Sequence, residues 1–186
     1  VFESEEKNIL LKREMGYATY PRMQLTGSVN GEKVNGNAWF DHQWGDFSTN
    51  LLSWDWFSLQ LDNGIDLMIY QLCDEHDKPV LYTGSITQNN ITEALLSSDF
   101  TLSQLGDQWT SKKTGYTYPT AWEIKIPKKN IHIKTRSKVE NSEFDAQLTT
   151  YNHYWEGAVM IEGTHSGRGF MELYGYTNKK EPNTPK

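Results

Sequence analysis

Short apolar runs alternate with polar residues along most of the chain, and Gly, Asn, Asp or Pro separates each run from the next. A period of two residues is typical of strands, and no helical period is sustained after about residue 15. Residues 3–14 could form one short helix. The pattern predicts a nearly all-β fold with about ten antiparallel strands in a barrel or a sandwich. The candidate strands are residues 22–29, 34–40, 53–61, 65–72, 80–87, 92–95, 99–105, 120–126, 131–139, 153–162 and 168–176.

The most informative hairpin joins residues 53–61 to residues 65–72. A two-residue turn at Asn63-Gly64 would set the apolar residues of one strand against the polar residues of the other. A three-residue loop with Gly64 in the left-handed region instead pairs Leu61 with Ile65. We therefore predict the three-residue loop and the register that follows from it.

This register divides the hairpin into two different faces. One face is aliphatic, with Leu59 opposite Leu67 and Phe57 opposite Ile69. The other mixes large rings with polar and thioether groups, which suits a ligand pocket because it offers apolar area and groups that orient a ligand. Trp56 lies opposite Tyr70 on that face. The predicted ligand-binding residues there are Trp54, Trp56, Ser58 and Met68.

A second candidate segment is Asp41-His42-Gln43-Trp44-Gly45, which we expect to form a compact turn after an aromatic strand. His42 could transfer protons at neutral pH, with Asp41 orienting its ring. The alternative is a purely structural turn, in which Asp41 caps backbone N–H groups and His42 bonds to a carbonyl. The residues alone leave both interpretations open.

Composition excludes several classes of function. The 186 residues carry 18 Lys and Arg against 24 Asp and Glu, a net charge of −6, which disfavours nucleic-acid binding. Cys73 is the single cysteine, so there is no internal disulfide. The histidines lack the spacing of metal ligands, and His153 and Glu156 would lie on opposite faces of one strand, so we predict no metal site. No apolar run is long enough to span a bilayer.

Five separated motifs resemble the family of hydroxyneurosporene synthase (carotenoid 1,2-hydratase, CrtC) and the AttH-like proteins. They are AWFDHQWG, WDWFSLQLDNGIDLMIYQL, the WTS-x-x-TG-x-x-YP-x-x-W spacing from Trp109 to Trp122, YWEGAVMIEG at 154–163 and GRGFMELYGY at 167–176. The resemblance implies an antiparallel lipocalin-like (calycin) β-barrel, which often occurs as two related barrels in a longer chain. This sequence resembles the C-terminal portion.

The resemblance also sets expectations about organisation. We treat Val1 as a cut end and residues 1–16 as an N-terminal segment left from an upstream lipocalin-like domain of the same precursor. Residues 17–177 form the predicted barrel domain and residues 178–186 a polar tail. A homodimer could cover apolar surface that a missing barrel leaves exposed. Many relatives are secreted, so we expect a secreted or periplasmic protein, although the charged N-terminal segment is no signal peptide.

Hydratases of this family add water to an isoprenoid double bond and need no metal or other cofactor. A general acid protonates carbon, and aromatic faces stabilise the carbocation. By motif position, His42 and Trp44 match the family's His-x-Trp pair and Tyr70 matches its following tyrosine. The resemblance places the acid where this chain has Leu72. The candidate catalytic residues are His42, Asp41 and Tyr70, and the other carboxylates near the motifs are Asp55, Asp66 and Asp74.

Three functions follow from these observations. The first is a lipocalin-like domain that binds an apolar ligand, such as an isoprenoid, lipid or polyketide, in an aromatic-lined pocket that includes Trp44. The second is a hydratase or cyclase that uses acid catalysis. The third is a carbohydrate-binding β-sandwich or a glycosidase, in which Asp41 and Asp55 supply two carboxylates.

Overall fold

A computed structural model describes residues 15–45, 52–74, 76, 78–146, 148 and 152–176. The chain divides into two compact units, Val1–Leu51 and Leu52–Lys186, which are described separately. The predicted helix at residues 3–14 and the predicted tail at 178–186 lie outside the described residues, and the boundaries proposed for the barrel domain stay predictions. None of the helical structure in these residues is long and apolar enough to cross a membrane.

The structure is nearly all-β, as the sequence predicts. Its strands pair antiparallel throughout, and a single 3-10 turn occurs at Pro127–Lys129 among the described residues. The strands are β1 (Met15–Val29), β2 (Glu32–Gly45), β3 (Ser53–Leu61), β4 (Asp66–Cys73), β5 (Pro79–Gln88), β6 (Ile91–Leu95), β7 (Thr101–Gln104), β8 (Gln108–Thr110), β9 (Thr117–Pro119), β10 (Ala121–Ile126), β11 (Ile131–Ser137), β12 (Glu143–Ala146), β13 (Asn152–Gly163) and β14 (Gly167–Tyr174).

The first unit contributes one long hairpin, β1–β2. Its two-residue turn has positive φ at Asn30 and Gly31, the conformation that joins tightly twisted strands. The compact turn predicted at Asp41–Gly45 is wrong, because these residues continue β2 and pair with the first half of β1. That half lies before residue 22, where the sequence showed no strand.

The second unit is built on a ten-stranded sheet that curls into a half-barrel. The strand order is β6-β5-β4-β3-β14-β13-β11-β10-β7, with β12 pairing to β13. Strands β8 and β9 form a separate short ribbon. Strands that follow each other in sequence pair over most of the sheet. The exception that closes the order is β3, which pairs with β14 and so joins the start of the unit to its end.

The hairpin β3–β4 has the predicted register. Leu59 opposes Leu67, Phe57 opposes Ile69 and Trp56 opposes Tyr70. The loop closes with a hydrogen bond from Leu61 N to Ile65 O at 2.8 Å, and the third loop residue has φ +84°. The three-residue loop is therefore confirmed.

One face of the curled sheet forms the hydrophobic core. The predicted aliphatic face of β3–β4 belongs to it and is fully buried. Facing strands add aromatic and β-branched side chains, which fit a pleated and buried surface. Large members of this core are Phe57, Leu59, Leu67, Ile69, Trp122, Ile124, Ile133, Trp155, Val159, Met171 and Leu173.

Gly64 should tolerate asparagine better than alanine. A Cβ at this position meets no atom within 4 Å, so the cost of substitution comes from the backbone conformation alone. We expect Gly64→Ala to lower the free energy of unfolding by about 1–2 kcal/mol, whereas Gly64→Asn should lose less because asparagine visits the left-handed region more readily. Urea unfolding of both variants measures this difference. Equal losses would contradict the conformational explanation.

Candidate functional site

A row of four side chains crosses the second face of the sheet, opposite the core. Tyr70 on β4 pairs with Trp56 on β3, Trp56 pairs with Glu172 on β14, and Glu172 pairs with Glu156 on β13. Directly paired residues of antiparallel strands project to the same face. All four are half-buried, and we call them the cross-sheet row.

An aromatic cluster lies beside this row, one step along the strands. Trp54 and Tyr174 stack with ring centroids 4.1 Å apart, and Tyr154 lies 5.2 Å from Tyr174. Asn152 holds the two tyrosines, since Tyr174 Oη donates to Asn152 Oδ1 at 2.9 Å and Asn152 Nδ2 donates to Tyr154 Oη at 3.2 Å. The cluster presents half-buried rings beside two carboxyl groups.

Ser58 and Met68 border the cross-sheet row on its other side. They pair with each other on β3 and β4, and both are buried. The core face of these strands is buried as well, so this part of the sheet is shielded from solvent on both faces. The predicted ligand-binding residues of this hairpin therefore share one face, with Trp54 and Trp56 more accessible than Ser58 and Met68.

The electrostatics of the cross-sheet row differ between its members. Trp54 Nε1 donates a hydrogen bond of 2.7 Å to Glu172 Oε1, which favours the ionised carboxylate. Burial raises the pKa of the Glu156 carboxyl above its ordinary value, which favours its protonated form. Burial, followed by the nearby charge of Glu172, also raises the pKa of the Tyr70 phenol. The row thus joins a neutral phenol to two carboxyl groups in unlike environments.

Asp55 lies on the core face, away from Trp54 and Trp56. It is only 3% exposed, and its carboxylate accepts hydrogen bonds from Tyr176 Oη at 2.6 Å and Gln71 Nε2 at 2.9 Å. A carboxylate satisfied in this way stabilises the fold. A sugar site built from Asp55 and the tryptophans of β3 would need them on one face of the strand. Asp55 and the tryptophans lie on opposite faces instead.

The remaining predicted residues lie on β2, in the first unit. His42 and Trp44 project to the same face, and their ring centroids are 5.1 Å apart. Asp41 comes directly before His42 and projects to the opposite face, because side chains alternate along a strand. The hairpin therefore groups His42 with Trp44 and separates Asp41 from both.

Sequence reasoning overlooked Glu156 and Glu172 as members of the site. It considered Glu156 only as a metal partner of His153, and the structure places these two on opposite faces of β13 as predicted. The signal in the sequence was the position of both glutamates inside the motifs at 154–163 and 167–176. Their approach to Trp56 depends on strand pairings that no local pattern indicates.

Comparisons with known proteins give a family, a distant relative and a structural neighbour. A family model described as AttH-like matches residues 4–176. The dehydratase AsqC of Emericella nidulans is 28% identical over 144 residues, which cover 73% of this chain and 41% of that protein. A crystal structure of a protein assigned as AttH from Nitrosomonas europaea superposes with a TM-score of 0.76 at 27% identity, covering 88% of this chain and 53% of that one.

The chain matches only part of each of these two proteins. It spans about two fifths of the dehydratase and about half of the crystallised protein. Its antiparallel, curled sheet is the lipocalin-like fold that the sequence motifs imply. With a family model covering nearly all of its residues, the chain belongs to the AttH-like family.

Proposed function

We propose that this chain takes part in acid-catalysed removal or addition of water on an apolar, isoprenoid-like substrate. The observation that carries the proposal is the cross-sheet row, which sets two carboxyl groups beside Trp56, Tyr70 and the aromatic cluster. A named dehydratase among the relatives supports the same chemistry. Because the chain covers 41% of that protein, the activity of the longer protein enters only as part of this proposal.

The chemistry requires a proton donor, a proton acceptor and a surface that stabilises positive charge. In dehydration, a protonated hydroxyl group leaves as water and the resulting tertiary carbocation loses a proton to give an alkene. Hydration follows the reverse path. Aromatic faces attract a cation through their quadrupoles, and this attraction is stronger where water is excluded. Half-buried Trp54, Trp56 and Tyr174 supply such faces.

The family resemblance also implies a role for His42 and Trp44, which lie on the first unit and form a separate candidate group. Their shared face on β2 is consistent with one ring handling protons while the other contacts hydrocarbon. Within this proposal, a carotenoid 1,2-hydratase type of reaction is the narrower form, with a terminal isoprenoid double bond as the substrate group. Asp41, on the other face of β2, has no role in it.

A second candidate function is binding of an apolar ligand without chemistry. The aromatic cluster favours it, because stacked and half-buried rings suit a hydrocarbon whether or not a reaction follows. Oxygen exchange separates the two functions. The full chain incubated with linalool, a tertiary allylic alcohol, in H₂¹⁸O should incorporate ¹⁸O into the alcohol if water leaves and returns. Binding of linalool without exchange would favour the non-catalytic function.

Replacing Trp56 by alanine should weaken binding of the fluorescent apolar probe anilinonaphthalene sulfonate. We expect the dissociation constant to rise about tenfold, which corresponds to about 1.4 kcal/mol, because the ring is central to the cross-sheet row. Ile91→Ala, an exposed apolar position on β6, is the matched control and should leave binding unchanged. Unchanged binding in a folded Trp56 variant would remove this face from the proposal.

A further inference from the structure

The proposed chemistry needs a carboxylic acid on the face that carries Tyr70 and Trp56. On β4, the position two residues after Tyr70 is Leu72, which is buried and cannot donate a proton. Asp66 shares the face but lies four residues along β4, about 13 Å from Tyr70 at the rise of a strand. The strands of the hairpin therefore provide no acid next to these rings.

The neighbouring strands provide two. Glu172 is directly opposite Trp56, and Glu156 is directly opposite Glu172. Opposed residues of antiparallel strands have Cβ atoms about 4.5–5.5 Å apart, so the two carboxyl groups can approach each other closely. Burial raises the pKa of the Glu156 carboxyl, which favours the protonated form of this member of the row.

The surroundings indicate which member holds the proton. Glu172 accepts the hydrogen bond from Trp54 Nε1, and this donor stabilises its negative charge. The Glu156 carboxyl is half-buried, and burial disfavours its charged form. The charged residues on the elements beside this part of β13 include Glu172 on β14, Glu143 on β12, which pairs with Trp155, and Lys138 and Glu140 in the loop before β12. Unlike environments of two carboxyl groups are typical of an acid and base pair.

We propose that Glu156 is the proton donor of this site and that Glu172 is its proton acceptor. This assignment rests on the proposed function. In dehydration, the Glu156 carboxylic acid gives its proton to the substrate hydroxyl, and the C–O bond breaks with its electron pair leaving on water. Glu172 then takes a proton from the adjacent carbon, and the C–H electron pair forms the double bond. The proton passes from Glu172 back to Glu156, which lies opposite, and restores the starting pair.

Isosteric substitutions test the assignment in the full chain. We expect Glu156→Gln to slow ¹⁸O exchange into linalool at least a hundredfold, and Glu172→Gln to slow deuterium uptake from D₂O at the adjacent carbon by a similar factor, the usual effect of losing a general acid or base. Binding of anilinonaphthalene sulfonate should stay within about twofold. Glu156→Asp keeps a carboxyl group and should recover part of the exchange.

Glu162→Gln is the matched control, because Glu162 lies on the same strand and the same face of β13 but is exposed beside Arg136. It should leave exchange unchanged. Exchange in Glu156→Gln above a tenth of the original rate would overturn the assignment of the donor while leaving the proposed function intact.

Infrared spectroscopy provides a readout that needs no turnover. We expect the carbonyl stretching band of a protonated carboxylic acid near neutral pH in the original chain, and we expect it to vanish in Glu156→Gln but persist in Glu162→Gln. If the original chain exchanges no oxygen into linalool, the proposed function fails with this probe, and this band then decides the assignment separately. Absence of the band would overturn the assignment of Glu156 as the proton donor.

Discussion

Replacing Trp155 by alanine is expected to lower the free energy of unfolding by about 3–5 kcal/mol. The indole is completely buried in the core, and its Nε1 donates to Glu140 O at 2.6 Å. Truncation leaves a cavity and removes one of the two hydrogen bonds that Glu140 O accepts, the other coming from Ser142 N. Since domains unfold with about 5–15 kcal/mol, the variant should lose a large share of its stability. Equilibrium unfolding in guanidinium chloride measures the loss.

Met160→Ala is the control for this prediction. Met160 lies on the same strand but on the other face, and it is 52% exposed. We expect it to cost less than about 1 kcal/mol, as surface substitutions usually do. A loss below about 1 kcal/mol for Trp155→Ala would contradict the placement of this side chain in the core. The comparison also separates Trp155, which supports the fold, from its neighbour Glu156, which we assign to chemistry.

The hairpin β3–β4 shows how far sequence reasoning reaches. Its register depends on the alternation of residues and on one loop containing Gly64, and both are local properties of the chain. The same alternation separates the core face, with Phe57 and Leu59, from the face with Trp56 and Tyr70. The two faces of this hairpin could therefore be predicted from the residues alone.

The partners of that second face could not be predicted in this way. Glu172 reaches Trp54 across 118 positions of sequence, and Glu156 enters only because β13 pairs with β14. Alternation indicates which residues share a face of one strand, but it does not specify which distant strand lies alongside. The resemblance places the acid at Leu72, which has no carboxyl group. The acid that we propose, Glu156, joins this face only through the pairing of distant strands.

Short and polar strands were missed for a different reason. Strands β8, β9 and β12 have three or four residues, too few to show a period. The segment that contains the first two has the composition of a turn, with Lys, Thr, Gly and Pro residues. The structure holds this ribbon in place with side-chain hydrogen bonds, which a pattern of apolar positions does not reveal.

Glu143 on β12 makes these bonds, and its loss should have the second large effect on stability. Its carboxylate accepts from Ser111 Oγ at 2.5 Å, Thr114 Oγ1 at 2.6 Å and Tyr118 Oη at 3.0 Å. Tyr118 is buried, so Glu143→Ala leaves its hydroxyl without this acceptor. Hydrogen bonds to charged groups contribute about 1.5–3 kcal/mol each and are not fully additive, so we expect a total loss of roughly 3–5 kcal/mol.

The loss should begin in the ribbon, because β8 and β9 pair only with each other among the described strands. Hydrogen exchange of residues 108–119 should therefore accelerate more in Glu143→Ala than exchange of the core strands. Asp145→Ala is the control on the same strand and face. Its carboxylate pairs with exposed Lys113 and, at 3.4 Å, with His153, and such pairs near the surface contribute less than about 1 kcal/mol. If both variants lose equal stability, the anchoring of the ribbon by Glu143 is wrong, whereas a selective loss would show that one carboxylate fastens β8 and β9 to the sheet.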